Sequence, residues 1–382
     1  MQAQTRRVYN FGPFHLDVGT PLWSDEFDES AKDLLELEDS ISQRVVKALR
    51  LNLAKGEHEA LIRHQTGDTN AYESYMKGRY FWNQRSRDGL IKATDYFERA
   101  ISEDPNYALA YAGLADCYSL RTNAGSFARD EGYAKAKTAA IKALELDDNL
   151  AEAHASLGFI RGNNDWDAKR AEAEFKRSIE LNPNYATAHQ WYGQNLARMG
   201  KFDDALREVK IAQELDPLSP VIYSELGNLY SSRREFDQAV EQYQRALEIA
   251  PGFWIAHRGL VAVYAYKGTY QEAIEEQHRS GSTSDSFRAL IGYAYARAGV
   301  ASEAQKILQE ILAKANTNVP MLYYAALIYS ALGEKDRALE CLQRLCDSRD
   351  DRILGIKWNI GFDSMKDDPR FQGLLRRINL AD

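Results

Sequence analysis

The sequence has few cysteines and no long apolar run, and each of these absences excludes a class of protein. Only 3 of the 382 residues are cysteine, an odd number that suits a reducing compartment better than a disulfide framework. No eighteen apolar residues occur together, so no membrane-spanning helix is predicted. The first residues lack the apolar stretch of a secretory signal. We therefore expect a cytoplasmic protein without a membrane anchor.

The short motifs that usually mark catalytic sites are missing as well. The chain contains no G-x-x-x-x-G-K-[ST], no H-E-x-x-H, no G-x-S-x-G and no C-x-x-C, which are signatures of phosphate binding, metalloproteases, hydrolases and redox or metal centres. We therefore predict no catalytic residues, no metal, no cofactor and no enzymatic activity. The formal charge of −8 argues against general nucleic-acid binding, which relies on cations that neutralise phosphates.

The histidines and acidic pairs allow two interpretations. His154, His189 and His257 occupy the same place in three successive or nearby sequence units, which would suit either metal binding or packing. Because tetrahedral zinc needs its ligands about 2 Å from one ion, and these histidines lie whole units apart, packing is favoured. Acidic pairs such as Asp203-Asp204 lie near expected helix ends, where capping or solvation is favoured over catalysis.

A small residue recurs in this sequence at a nearly constant interval. Three successive intervals are 34 residues long, and the alanines concerned are Ala93, Ala136, Ala171, Ala205, Ala239, Ala273, Ala304 and Ala338. An interval of 34 residues is typical of a repeated pair of helices in which a small residue sits at the crossing. Such pairs stack into a solenoid, because each buries its apolar face on its neighbours.

The clearest unit runs over residues 186–219. Gly193 lies where two helices would cross closely, Gly200 where the first helix would end, and Pro217 just beyond the second helix. Residues 220–253 repeat the same arrangement without a gap. These units resemble the tetratricopeptide repeat family, and the resemblance extends over about residues 71–345. It implies an all-α fold, a right-handed superhelix of about eight helix pairs.

Two stretches depart from the period. An excess of residues falls in 120–132, which predicts longer helices or an edge loop there. The unit that ends at Gly281–Ser286 is short and lacks its terminal proline, so we expect the superhelix to be interrupted or least firmly packed at that point. After Leu345, Asp367 or Asp368 can cap a short helix that starts at Pro369 and closes the C-terminal end of the stack.

The first seventy residues carry a second resemblance. Val8–Asp17 resembles the opening strands of the winged-helix domain of OmpR/CadC-type regulators. Trp23–Asp28 and an amphipathic helix near 31–53 resemble the element that precedes tetratricopeptide arrays in CadC-like regulators and in bacterial adenylate-cyclase-linked proteins. Only five residues separate Asp17 from Trp23, so the recognition helix of a winged helix is absent. The two strand pieces are expected to pair into a hairpin.

These patterns divide the chain into four parts. Residues 1–20 form a strand remnant of a winged helix. Residues 21–70 form an adaptor of a strand, an amphipathic helix and a linker. Residues 71–345 hold eight repeats, and residues 346–382 form a C-terminal cap. We expect the chain to be either a scaffold in its own right or the sensor part of a longer regulator or cyclase-linked protein whose output domain lies elsewhere.

The resemblance to tetratricopeptide repeats implies a binding groove lined by the first helix of each unit. Aromatic and arginine side chains make good anchors there. The predicted groove residues are Tyr72, Tyr75, Arg79, Trp82, Asn83, Glu152, Gln190, Gln194, Arg198, Asn228, Arg258, Tyr266, Tyr293, Arg297 and Tyr323. The lysine and asparagine clamp with which some family members hold a C-terminal carboxylate is not reproduced. We expect a peptide or protein partner, no membrane, and no DNA binding by this chain; the sequence does not indicate an oligomeric state.

Overall fold

The computed structural model describes the backbone of residues 9–15 and 21–27 and then residues 66–315 and 317–380. In the last two ranges, sixteen α-helices form eight consecutive pairs. The pairs are α1 Thr69–Asn83 with α2 Arg87–Glu103; α3 Ala108–Asn123 with α4 Arg129–Leu146; α5 Ala151–Asn163 with α6 Ala168–Leu181; α7 Ala186–Arg198 with α8 Phe202–Leu215; α9 Pro220–Ser232 with α10 Phe236–Ile249; α11 Trp254–Lys267 with α12 Tyr270–Ser280; α13 Asp285–Arg297 with α14 Ala301–Ala315; and α15 Met321–Ala331 with α16 Lys335–Asp347. The predicted right-handed superhelix of eight helix pairs is confirmed.

The eight periodic alanines lie on the second helices of the pairs. Each of them has an exposed fraction of 0%. A larger side chain at such a position would push the second helix away from the helices it contacts, because protein interiors are close-packed. The regular interval in the sequence therefore reports a regular contact between helices.

Tyr243 on α10 shows how one pair is joined to the next. A Cβ atom added to Gly227 on α9 would lie 2.6 Å from the Tyr243 ring, and one added to Gly259 on α11 would lie 2.3 Å from it. The ring thus fills the space that two glycines leave open on either side. Its hydroxyl donates a hydrogen bond of 2.8 Å to Asn228 Oδ1, so the polar end of this buried side chain is also satisfied.

The two stretches that depart from the 34-residue period affect the structure in different ways. The excess at 120–132 lengthens both helices of the second pair, since α3 has 16 residues and α4 has 18. The superhelix is not interrupted at Gly281–Ser286, but the contact between α12 and α13 is the least extensive between two successive helices of the eight pairs, in line with the alternative expectation of least firm packing. Phe287 on α13 is 0% exposed and shares a core with Val261 on α11 and Ala273 on α12. Gly281 adopts a φ of 61° there, and this left-handed turn lets the chain enter α13 without the usual proline.

The two N-terminal strands pair as expected. The strand β1 Tyr9–His15 runs antiparallel to β2 Pro21–Phe27, with Tyr9 opposite Phe27 and His15 opposite Pro21. The register shifts on both sides of Phe14, which is the signature of a bulge. The amphipathic helix predicted near 31–53 lies outside the described residues, as does most of the linker that follows it.

A final helix, α17 Pro369–Arg377, begins where the sequence predicted it. Asp368 is its N-cap, and the carboxylate accepts a hydrogen bond of 2.8 Å from the backbone N–H of Arg370. Phe371, Leu374 and Leu375 are buried in the same core as the last helix pairs. The helix therefore covers apolar surface at the C-terminal end of the stack. Between α16 and α17 the chain forms two 3-10 turns, Asp351–Gly355 and Ile360–Met365.

Candidate partner-binding surface

The first helices of the pairs form the concave face of the superhelix, which we call the inner wall. A polar cluster lies at its N-terminal end. Arg79 on α1 lies 3.8 Å from the carboxylate of Asp116 on α3, and the Ser156 hydroxyl donates a 2.5 Å hydrogen bond to the same carboxylate. Burial raises the pKa of Asp116 to about 7, and the nearby Arg79 opposes that rise. Burial also raises the pKa of Glu152. These groups are engaged with one another, which holds the first three pairs together.

Trp82 at the end of α1 lies between two guanidinium groups. Arg79 Cζ is 4.1 Å and Arg85 Cζ is 3.4 Å from the centre of the indole ring, which is cation–π geometry. Trp191 on α7 approaches the same ring to 6.3 Å between centroids. Burial lowers the pKa of Arg85 to about 9, and the like charge of Arg79 lowers it further. Trp82 is only 2% exposed, so this predicted groove residue is part of the packing of the inner wall.

The first pair also meets the sixth. The indole N–H of Trp254, the first residue of α11, donates a hydrogen bond of 3.1 Å to the backbone carbonyl of Arg85. These two residues are 169 positions apart in the sequence. The superhelix therefore curves far enough to bring its beginning against its later part.

In the middle of the wall the predicted residues converge on one space, which we call the central cavity. It has a volume of about 470 Å³. Six of the predicted groove residues line it, from the first helices α7, α9, α11 and α15: Gln194, Arg198, Asn228, Arg258, Tyr266 and Tyr323. Burial raises the pKa of Glu225, another lining residue, although Gln194 and Asn228 donate hydrogen bonds to its carboxylate. The cavity combines arginine, amide and phenol side chains with two acids, Glu225 and Asp351, whose pKa values are raised by burial.

The other predicted residues lie elsewhere on the wall. Trp82, Gln190 and Tyr293 are buried, at 2%, 2% and 3% exposed. Asn83 and Arg297 are exposed. Tyr72, Tyr75, Arg79 and Glu152 are half-buried at the N-terminal end. The structure thus brings six of the middle and late members of the predicted set together, and Trp82, Gln190 and Tyr293 are buried in the packing.

The segment 348–366 is a component of the site that the sequence did not indicate. It leaves α16 and runs along the ends of the first helices, and we call it the inner segment. The Trp358 indole N–H donates a 3.1 Å hydrogen bond to the carbonyl of Arg198 at the end of α7. Arg352 Nη2 donates to the carbonyl of Asn123 at the end of α3. The inner segment thereby reaches from the last pair back to the second.

Asn359 connects the inner segment to two later helices. Its amide donates to the Tyr323 hydroxyl at 2.6 Å, and its carbonyl oxygen accepts from the Tyr266 hydroxyl at 3.2 Å. Near the start of the inner segment, Arg349 Cζ lies 4.6 Å from the centre of the Trp166 ring. The amide and the two phenols thus form one wall of the central cavity, and their hydrogen-bonding groups already have partners.

The inner segment is also anchored by apolar side chains. Ile353, Ile356 and Phe362 are 0% exposed and Met365 is 1% exposed. Full burial of such a side chain contributes about 1.5–3 kcal/mol, and whole domains are stable by only about 5–15 kcal/mol. The segment is therefore a fixed part of the wall. A sequence signal existed, since Ile353, Leu354 and Ile356 form an apolar cluster in the region expected to be the C-terminal cap.

The three histidines that occupy the same position in their repeats have a structural role. His154, His189 and His257 each hold Nδ1 close to a glutamate of the following helix, at 2.7, 2.7 and 2.5 Å. His189 and His257 also place Nε2 near the carbonyl of a proline, Pro183 and Pro251. Each histidine thus links the two helices of its pair. Among the residues that the structure describes, no group of three His, Cys, Asp or Glu side chains is placed to hold a metal ion.

Two segments of the chain, residues 220–253 and 321–351, match family models described as tetratricopeptide repeat. Together with the eight helix pairs, these matches show that the chain carries tetratricopeptide repeats. A solved structure of the human IFIT1 dimer with m7Gppp-AAAA covers 82% of this chain and 77% of its own, with a TM-score of 0.52 and 15% sequence identity. This likeness concerns the fold.

The relatives in sequence are described as a transcriptional regulator and a putative adenylate cyclase. Transcriptional regulator HilA of Salmonella paratyphi A is 31% identical over 155 residues, which are 40% of this chain and 28% of the relative. Putative adenylate cyclase 3 of Rhizobium meliloti is 26% identical over 158 residues, or 41% of this chain and 26% of the relative. The resemblance to regulators and cyclase-linked proteins is thus confirmed, while the chain spans little more than a quarter of their length. None of the described helices is both long and apolar enough to cross a membrane.

Proposed function

We propose that this chain is a non-enzymatic scaffold that binds a peptide or partner protein along the inner face of its superhelix. The observation that supports this most directly is the convergence of six predicted groove residues from four first helices on the central cavity. Tetratricopeptide solenoids offer extended concave surfaces of this kind. Arginines and tyrosines are the side chains that most often anchor interfaces.

The inner segment limits how a partner can bind. Its buried apolar side chains keep it in place, so a partner does not lie along the full length of the groove. A side chain or chain end of the partner enters the central cavity and receives hydrogen bonds from Gln194, Arg198 and Arg258, which line it. Because these donors include two arginines, an acidic or carboxylate-bearing peptide segment suits the cavity.

The test uses the purified full chain as bait with a charge-reversed variant and a matched control. Arg258→Glu changes the central cavity. Arg245→Glu makes the same change on α10, where the side chain is 57% exposed and lies beside Glu248. We expect one protein to be retained reproducibly by the wild type and by Arg245→Glu, and to be lost with Arg258→Glu. Equal retention by all three baits would reject the central cavity as the binding site.

The second candidate is the sensor or effector part of a transcriptional regulator or signalling protein whose output domain is absent from this chain. The match to HilA and the N-terminal strand motif favour it. Under this proposal the chain itself does not read DNA. Selection of bound duplexes from a random library by the full chain should therefore yield no motif. Recovery of one sequence motif would show that this chain still carries DNA-reading activity.

A further inference from the structure

A second cavity lies where the first helix pair meets the sixth, and we call it the arginine-lined cavity. Its volume is about 690 Å³. Four arginines and one acid supply all of its charged lining: Arg85, Arg87, Arg258, Arg352 and Asp351. The whole chain carries a formal charge of −8. A local excess of cations inside an acidic protein needs a physical reason, because like charges brought together in a partly buried space repel.

Three of these arginines have no acidic partner among the described residues. The Nε atoms of Arg85 and Arg258 are buried and make no hydrogen bond. Arg85 is 8% exposed, and its guanidinium lies over the Trp82 ring. Arg87 is exposed at the first position of α2. Arg352 differs, since Nη1 lies 2.8 Å from the Asp350 carboxylate. Of the three only Arg85 is buried as a whole residue, and a buried cation without a counter-charge is costly; a bound anion would remove that cost.

Hydroxyl groups and helix starts complete the lining. Ser86 and Ser284 line the arginine-lined cavity and are the N-cap residues of α2 and α13. The starts of α-helices carry partial positive charge and free N–H groups that favour anions. Ser282, Ser286 and Tyr324 add further hydroxyls. Asp285, which follows Ser284, is held by Lys314 Nζ at 2.5 Å and does not line the cavity.

We propose that the arginine-lined cavity binds the phosphate group of a small phosphorylated molecule. Guanidinium groups bind phosphate oxygens with paired, charge-assisted hydrogen bonds. The supply of arginines and hydroxyls on several sides matches the three terminal oxygens of a phosphate better than the two of a carboxylate. The cavity can be entered from solvent, because Trp254 at its edge is 41% exposed and Arg87 is exposed. This inference does not rest on the binding of a protein partner.

The test is calorimetric titration of the purified full chain with inorganic phosphate and with pyrophosphate, beside malonate as a dicarboxylate of similar charge. We expect saturable binding of both phosphates and a raised Tm in their presence. Arg258→Gln and Arg87→Gln should each weaken the binding by about tenfold or more, because each removes a charge-assisted hydrogen bond. Arg245→Gln, on the exposed side of α10, should bind as the wild type does.

Arg87→Gln keeps the test decisive if Arg258→Gln does not fold, because Arg87 is exposed and lies outside the proposed partner surface. Phosphate affinity that is the same in Arg87→Gln and in the wild type would place the anion elsewhere and overturn the proposal. The absence of saturable phosphate binding would do the same. Tighter binding of malonate than of inorganic phosphate would reject the phosphate assignment. Loss of a protein partner with Arg258→Glu but unchanged phosphate binding in Arg87→Gln would separate the two proposals.

Discussion

The regular pairs α7–α10 and the inner segment 348–366 are both well packed, but they are held by contacts of different range. In the regular pairs, Tyr243 contacts glycines on the helices immediately before and after its own. In the inner segment, Arg352 bonds to a residue 229 positions away, and Trp358 to one 160 positions away. Local contacts therefore build the stack, and long-range contacts fix its curvature.

The two regions also differ in the groups they use. The regular pairs pack small residues against large ones, and their polar contacts join side chains of neighbouring pairs, such as Gln194 and Glu225. The inner segment uses side-chain donors that meet the free carbonyls at the ends of first helices, such as those of Asn123 and Arg198. The last carbonyls of a helix have no partner within that helix. The inner segment thus stabilises the helix ends that form one edge of the wall.

The largest expected effect concerns the apolar anchor of the inner segment. Phe362 is 0% exposed, so Phe362→Ala should lower the free energy of unfolding by about 3–5 kcal/mol. Phe175→Ala on α6, where the ring is 2% exposed, should cost a similar amount. Urea denaturation followed by circular dichroism measures both. A loss below about 1 kcal/mol for Phe362→Ala alone would show that the segment is a dispensable appendage.

The next effect concerns the glycine contact of the regular pairs. Gly259→Ala places a Cβ atom 2.3 Å from the Tyr243 ring, and such overpacking should cost about 1–3 kcal/mol. Gly162→Ala on α5 is the matched control, because its nearest neighbour would be 3.4 Å away. There the gain in helix propensity should leave stability unchanged or raised by up to about 1 kcal/mol. Thermal denaturation should show a lowered Tm for Gly259→Ala and an unchanged or raised Tm for Gly162→Ala. A Tm lowered equally in both variants, or in neither, would contradict the role of Gly259.

A smaller effect depends on pH and concerns the polar cluster at the N-terminal end. Burial raises the pKa of Asp116 from its ordinary value of 3.8 to about 7. In this window Asp116 binds more protons in the folded chain than in the unfolded chain, so the contribution of Asp116 to the stability of the wild type falls as pH rises from about 4 to 7. Asp116→Asn lacks this titration. Its stability relative to the wild type should therefore increase over that range. A constant difference from pH 4 to 8 would contradict the assignment.

The smallest effect concerns a single hydrogen bond of the inner segment. Trp358→Phe keeps an aromatic ring beside Phe202, whose ring centroid lies 5.1 Å from that of Trp358, but removes the donor to the Arg198 carbonyl. The expected loss is about 1 kcal/mol. Trp254→Phe removes the corresponding donor to the Arg85 carbonyl and serves as a comparison at a more exposed site. Chemical denaturation measures both, and a gain in stability for Trp358→Phe would contradict the role of the bond.

The stack could be predicted from the sequence because its contacts recur. Ala205 and Ala239 are buried at the same place in successive pairs, and the interval between them is visible in the sequence. The N-cap Asp368 was predictable for a related reason, since capping needs only neighbouring residues. The continuity across Gly281–Ser286 was not predicted, because a left-handed glycine replaced the expected proline.

The shape of the candidate site was less predictable. The groove positions inferred from the repeat assume an open inner face. The inner segment occupies much of that face, and Trp82 is buried against Trp191. These contacts occur once and join residues far apart, so no interval in the sequence reports them. The central cavity contains residues from the repeats and from the inner segment, and only the repeat residues were identified.

The hydrogen bond between Arg352 and Asn123 also bears on the order in which the protein is synthesised. Asn123 leaves the ribosome 229 residues before its partner. The early helix pairs can therefore fold on one another before the inner segment, which fixes the curvature of the superhelix, has been synthesised. Until Trp358 and Phe362 have been synthesised, the nascent superhelix has its helix pairs but lacks the inner segment that connects them. We therefore expect a chain that ends near α16 to keep the same helix pairs but to form a more open superhelix.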